Sequence, residues 1–279
     1  MKLLVPGVAL VAMLAVCAGA PALARATDSP EAIARQILGH APRGLAEVVV
    51  RRGFVRVATD ANYPPFSSID PSTDHPVGFD VDYAKAVARL LGLTVRFKYP
   101  AWSWVPRGLV KARYFEVSVG GLKDTWKNRR TLAFTRAYYH LAAKVLIRKG
   151  GPAVTGVESL AGRRVGATPG AYLRFLRGKT EARAVQLGAW DEGEHALRHR
   201  EIAMWLTSAV LAGRIAQNDA KLAVTGPPLF WDRCAVATRK GEDDLIALMD
   251  HAVRTLKEDG TTQALIEKWF GTEDPGIRP

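Results

Sequence analysis

Three stretches of this chain carry residues that could hold a small molecule. The first holds Asp60, Tyr63 and Phe66, within Asp60-Ala61-Asn62-Tyr63-Pro64-Pro65-Phe66. A carboxylate accepts hydrogen bonds or meets a cation, and two aromatic rings offer flat faces to the apolar part of a ligand. The second is Gly120-Gly121-Leu122-Lys123. Small residues let the main chain approach a ligand, and free N–H groups there can hold a carboxylate. The third is Thr168-Pro169-Gly170-Ala171-Tyr172, at the start of a helical segment, where backbone N–H groups suit an anion or an oxygen. None of the six His is placed for a Cys–His pairing, so no catalytic set, no metal and no cofactor is expected.

The elements that must position these residues alternate between strand and helix. Residues 54–58 alternate and are β-branched, as a strand requires, and 62–76 are rich in Pro, Ser and Asp, as a loop is. Residues 80–91 place Val81, Ala84, Val87, Ala88 and Leu91 at helical spacing before Gly92. A strand over 93–99, a helix over 105–111 and a strand over 116–119 complete a first block. A second block repeats the alternation with strands at 164–167, 184–187, 202–206 and 221–224, and helices at 171–177, 192–198 and 208–217. Extended segments at 142–148 and 232–238 lie between the blocks, and helices over 243–257 and 262–269 close the chain. The pattern predicts an α/β protein of two lobes, each a mostly parallel sheet flanked by helices. A helical tail after the second block implies a return to the first lobe, two hinge segments and a cleft between the lobes. Asp60 and Tyr63 then sit past a strand's C-terminal end, where open α/β sheets place ligands.

The first 26 residues read as an export signal: Met1-Lys2, an apolar stretch over 3–16, and the small-x-small sites Ala22-Leu23-Ala24 and Ala24-Arg25-Ala26. The apolar stretch is shorter than the ~20 residues a membrane span needs. The mature protein is thus expected in the periplasm. Cys17 leaves with the signal, and Cys234, beside Ala235 and Val236, reads as a small buried apolar residue. The chain has 279 residues with 48% hydrophobic and 24% charged, enough apolar material to exclude intrinsic disorder. Its net charge of +12 is scattered, with no run of five basic residues, so it reads as a solubility charge and not as a nucleic-acid surface.

The chain resembles the periplasmic solute-binding proteins of ABC importers, family 3, which includes binders of polar amino acids. The resemblance runs from about Gly53 to Gly271. Residues 55–66 look like the family's opening strand and loop, and Gly78-Phe79-Asp80-Val81-Asp82 like its helix entry. Residues 131–139, Thr-Leu-Ala-Phe-Thr-Arg-Ala-Tyr-Tyr, resemble the segment before the first hinge strand. Asp259-Gly260-Thr261 and Lys268-Trp269-Phe270-Gly271 resemble the ending.

That resemblance implies a venus-flytrap fold: lead-in 27–52, first lobe 53–141 and 237–272, second lobe 142–236, tail 273–279. It implies ligand contact at Tyr63 and places Trp104 near the cleft rim. It also implies a site that departs from the amino-acid pattern. Lys123 stands at a hydroxyl position, Asn128 at the clamp Arg position with Arg129 one residue on, and Ser208 where an acid meets the ligand's amino group. Lys123 and Arg129 are therefore the expected partners of an anion. The ligand is expected to be an anion with an apolar portion and not an ordinary α-amino acid. The implied partners are that small molecule and a permease in the inner membrane, with the protein a non-enzymatic monomer. The alternative is an accessory periplasmic protein gripping a partner such as a quinoprotein dehydrogenase. A cyclohexadienyl-dehydratase-like enzyme would need an acid after Ser208, where the chain has Ala209-Val210-Leu211.

Overall fold

The computed structural model describes residues 29–111, 114–188, 190–271 and 276–279. The expected signal, 1–26, lies outside the described residues, as do residues 27–28 of the lead-in and 273–275 of the tail. Two helices open the described chain, α1 (Pro30–Leu38) and α2 (Leu45–Arg52). Ser29 caps α1 by accepting from the Ala32 N–H, Pro30 begins its first turn, and Gly39 closes it in the left-handed region. Both helices fall within the expected lead-in, and α2 packs as an amphipathic helix. Its buried Ala46, Val49 and Val50 follow i, i+3, i+4 spacing and join the main core of the first lobe.

Strand β1 (Phe54–Ala58) leads through a three-stranded hairpin sheet, β2 (Asn62–Tyr63), β3 (Ser67–Ile69) and β4 (Pro76–Val77), into α3 (Phe79–Leu90). The hairpin sheet occupies the expected loop. Gly78 between β4 and α3 has φ +131°, and a Cβ there would lie 2.3 Å from the Phe66 carbonyl oxygen, so only glycine fits. Then come β5 (Thr94–Lys98), α4 (Val105–Lys111) and β6 (Val117–Ser118), followed by the 17-residue strand β7 (Leu132–Arg148). The second block is β8 (Arg164–Ala167), α5 (Ala171–Lys179), β9 (Arg183–Gln186), α6 (Trp190–Arg198), β10 (Met204–Ser208) and α7 (Ala209–Asn218). The 18-residue β11 (Leu222–Arg239) runs back to α8 (Asp243–Glu258), α9 (Thr261–Phe270) and β12 (Ile277–Arg278).

The strands order β5-β1-β6-β11-β7-β10-β8-β9, with β12 against β7. The pairs β5–β1–β6 and β10–β8–β9 are parallel, and each set forms one lobe. β7 and β11 pair antiparallel and run through both lobes. Near one end of the pair Leu132–Ala137 face Ala235–Arg239 beside β6; near the other, Ala143–Ile147 pair with β10. The crossing therefore falls at residues 138–142 and their partners around 230–234, a few residues from the segments the sequence suggests. α8 buries Leu245, Leu248, Met249, Ala252, Val253 and Leu256 on one face, packed in the first lobe's core. That burial returns the chain to its first lobe.

Candidate functional site

At the crossing, a cavity of about 180 Å³ lies between the lobes. The first lobe supplies Asp60 and Tyr63, from the segment after β1, and Gly120, Gly121 and Lys123, which follow β6. The crossing strands supply Tyr139, Leu141 and Cys234 as a floor, and α5 of the second lobe supplies Tyr172. Each group past a strand end is held by the turn that the strand feeds. Asp60 accepts from the Asn62 N–H at 3.0 Å, which fixes one carboxylate oxygen. Tyr63 stacks on Phe66 at 5.1 Å with 12° between the planes. Its hydroxyl lies against Ser208 of the second lobe, and burial pushes its pKa up.

The glycine strap is tied to α3 through one tyrosine. The Gly121 N–H donates to the Tyr138 hydroxyl at 3.2 Å, and that hydroxyl donates to Asp80 at 2.6 Å. The Gly121 N–H is therefore used internally and is not free for a carboxylate, as the sequence suggests it would be. Gly121 has φ +75°, and a Cβ there would lie 2.8 Å from the Tyr139 hydroxyl. Asp80 is fully buried, and desolvation, opposed by the Tyr138 hydrogen bond and aided by the nearby Asp60 charge, raises its pKa to about 7.

Lys123 pairs by backbone with Cys234, and its ammonium is bound to the carboxylate of Asp232 on β11. It also stands 5.5 Å from the centroid of the Tyr172 ring. Burial works against the charge, but the groups around it outweigh burial and hold the ammonium above the ordinary lysine range. Cys234 is a buried free thiol, pushed up to about 11 chiefly by burial, which suits packing and not nucleophilic work.

A wider outer chamber of about 700 Å³ opens beside the inner cavity and shares Gly121, Lys123 and Tyr172 with it. Thr168, Gly170 and Arg174 form its second-lobe wall; Ser103, Arg107, Lys127 and Asn128 lie on its first-lobe side. Among the described residues, no group of three or more His, Cys, Asp or Glu could hold a metal ion.

The family profile of bacterial extracellular solute-binding proteins, family 3, matches residues 55–272. The chain belongs to this family. It is 28% identical over 241 residues to the L-cystine-binding protein TcyJ of Escherichia coli (strain K12), covering 84% of this chain and 88% of that protein. It is 29% identical to the putative ABC transporter arginine-binding protein 2 of the same strain, over 77% and 90% of the two chains. The fold matches that of an ancestral arginine-binding protein bound to arginine, with a TM-score of 0.67, 26% identity, and coverage of 79% of this chain and 99% of that one. The two-lobed architecture is thus that of the periplasmic binding proteins.

Within this family member, the residues singled out from sequence separate into three groups. Asp60, Tyr63, Gly120, Gly121, Lys123 and Tyr172 meet in the inner cavity, and Thr168 lines the outer chamber. Phe66, Trp104 and Arg129 line neither. Phe66 is 1% exposed, packed among Tyr63, Phe79, Tyr139 and Phe270, because an apolar ring behind Tyr63 buries more surface in the core than at a rim. Trp104 packs edge-on to Tyr114 and Phe115. Arg129 is exposed and bound to Asp124 through two hydrogen bonds. Ser208 is buried, caps α7 by accepting from the Leu211 N–H at 3.2 Å, and lies against Tyr63 of the inner cavity. Neither Lys123 nor Arg129 waits for an anion, since each has an acidic partner of its own. Sequence reasoning misses Tyr139, Leu141 and Asp232. Tyr139 and Asp232 carry chemistry, but both sit on crossing strands whose register only the fold sets.

Proposed function

We propose that this chain is the solute-capturing component of an ABC importer, acting in the periplasm and delivering its solute to an inner-membrane permease. Its inner cavity takes a small neutral or amine-bearing group and does not anchor an ordinary α-amino acid. The observation that carries this reading is the charge inventory of the cavity. Lys123 is neutralised by Asp232, whereas Asp60 has no ion-pair partner among the described residues. An incoming amine gains a charge-assisted contact at Asp60 and the faces of nearby tyrosines. An α-carboxylate gains neither the clamp Arg, replaced by Asn128, nor an unpaired Lys123. A charge-assisted hydrogen bond contributes about 1.5–3 kcal/mol, so losing it lowers affinity roughly ten- to a hundredfold. Asn128 itself is committed, its side-chain amide donating to the Lys123 carbonyl at 2.8 Å.

Two contacts hold the lobes together beside the cavity. Arg214 on α7 donates to the Pro64 carbonyl at 3.1 Å, and Tyr63 meets Ser208, so both contacts join one lobe to the other beside the cavity. A bound solute that touches Tyr63 and Tyr172 would strengthen the same closed arrangement. A thermal-shift screen of the mature protein with small amines, neutral solutes and α-amino acids tests the reading. Stabilisation of about 2.7 kcal/mol is expected at a hundredfold excess over Kd. A screen in which only α-amino acids stabilise would overturn the ligand class.

A further inference from the structure

The stretch matched by the family profile ends at residue 272, and beyond it the segment 276–279 returns to the crossing strands. β12 pairs antiparallel with β7, Ile277 against Leu141 and Arg278 against His140, where β7 passes from one lobe to the other. The Ala142 N–H donates to the Gly276 carbonyl at 2.7 Å. Ile277 is buried in the apolar core of the first lobe, which anchors the segment there. Arg278 holds its guanidinium 3.9 Å from the centroid of the Trp231 ring on β11, so the segment grips both crossing strands. Gly276 meets the second lobe. It is buried with φ +68°, and a Cβ there would overlap that of Ala209, the first residue of α7, and lie 3.3 Å from that of Ala142. Ser208, one residue earlier, lies against Tyr63 across the cavity. The start of α7 reaches the segment because residue 276 has no side chain.

We propose that residues 276–279 are a third hinge strand that holds the lobes in their closed arrangement, with Gly276 setting how near α7 approaches the crossing. β7 and β11 carry the chain between the lobes, and the third strand, anchored in the first lobe, bears on the second. A side chain at 276 acts as a wedge beside the hinge, where a small displacement becomes a larger one at the far side of the lobe. The proposal rests on the reading that the two lobes move against each other, and not on the class of solute.

Pulsed electron paramagnetic resonance on the mature protein, without solute, tests it. Spin labels go on Lys85→Cys of α3 and Gln217→Cys of α7, both exposed, in a Cys234→Ala background. Gly276→Ala is expected to lengthen the main distance between the labels by about 2 Å or more. Adding Ala209→Gly removes the atom that the new methyl group meets and should reverse most of that shift. Gly260→Ala controls for backbone strain alone: φ there is +82°, and nothing among the described residues lies within 4 Å of a Cβ, so the distance should not move. The third hinge strand is refuted if Gly276→Ala leaves the distance unchanged, if Ala209→Gly does not reverse the shift, or if Gly260→Ala moves it as much. Should Gly276→Ala fail to fold, Arg278→Gln decides, since Arg278 is exposed and its loss removes the contact with Trp231. A broadened distance distribution then supports the strand, and an unchanged one refutes it. With no solute present, a protein that captures no amine still reports on its hinge, and failure of the amine reading shows in the thermal-shift screen instead.

Discussion

Lys123 and Asp232 form an ion pair beside the interlobe cavity, with one partner in the segment after β6 and the other on the strand that returns from the second lobe. The pair closes off the cation that would otherwise be the natural anchor for an anionic solute. It also ties the glycine strap to the crossing strands, because Lys123 is bridged by backbone to Cys234 as well.

Removing one partner should therefore cost more than removing both. Lys123→Met leaves Asp232 partly buried without its cation, and the expected loss is about 3 kcal/mol, at the low end for breaking a buried pair. Lys123→Met with Asp232→Leu should recover most of it. Urea unfolding of the two variants measures the difference. Equal destabilisation by the single and double changes would show that the pair does not act as a unit.

Asp80 makes stability pH-dependent in the unusual direction for a carboxylate. Its pKa is about 7 in the folded chain, against 3.8 when solvated, so between those values the folded state binds the extra proton. Its contribution is fully present below about pH 4 and is lost as pH rises through about 7. The gap corresponds to at most about 4 kcal/mol. Asp80→Asn should remove this fall, giving a stability profile flatter than the wild type between pH 5 and 8. Asp60→Asn should move the wild-type midpoint down, because the Asp60 charge helps to raise it. A wild-type curve parallel to that of Asp80→Asn across this range would refute the assignment.

Gly121 carries two constraints that a double substitution separates. Gly121→Ala meets the left-handed φ and brings a methyl group to within 2.8 Å of the Tyr139 hydroxyl. A loss of about 1–3 kcal/mol is expected. Adding Tyr139→Phe removes the clashing oxygen and should return part of it, leaving the backbone cost of about 1–2 kcal/mol. Thermal unfolding of the single and double variants checks this, and no rescue by Tyr139→Phe would mean that the close contact is not what limits the position.

Much of the fold is legible in the sequence because its strands and helices carry clear periods. β1 and α4 coincide with the apolar pattern, and α3, α5, α8 and α9 differ from it by one or two residues at an end. The crossing strands are harder to read. In residues 132–141 one face, Thr135, Ala137, Tyr139 and Leu141, is buried, while the other mixes buried Leu132 and Tyr138 with half-buried Phe134 and His140 and exposed Arg136, so no clean apolar alternation marks them as a strand. β11 carries register shifts between Thr225 and Phe230 and again at Cys234 and Ala235, which break its pattern into two apparent pieces. The site follows the same division. Asp60, Tyr63, Gly121 and Tyr172 are legible because they sit at the ends of recognisable elements. The Asp232 partner of Lys123 is 109 residues away in sequence, and only the pairing of β11 brings it near. Phe66 and Trp104 carry aromatic side chains suited to a ligand, yet burial in the first lobe's core stabilises them there instead.

The most direct test of the account is calorimetry of the mature protein and of Asp60→Asn against small primary amines and the twenty common α-amino acids. The account expects one amine-bearing solute to bind at a single site, with Asp60→Asn weakening it about tenfold or more, and the α-amino acids to bind weakly or not at all. Micromolar or tighter binding of an ordinary α-amino acid, unchanged by Asp60→Asn, would contradict it.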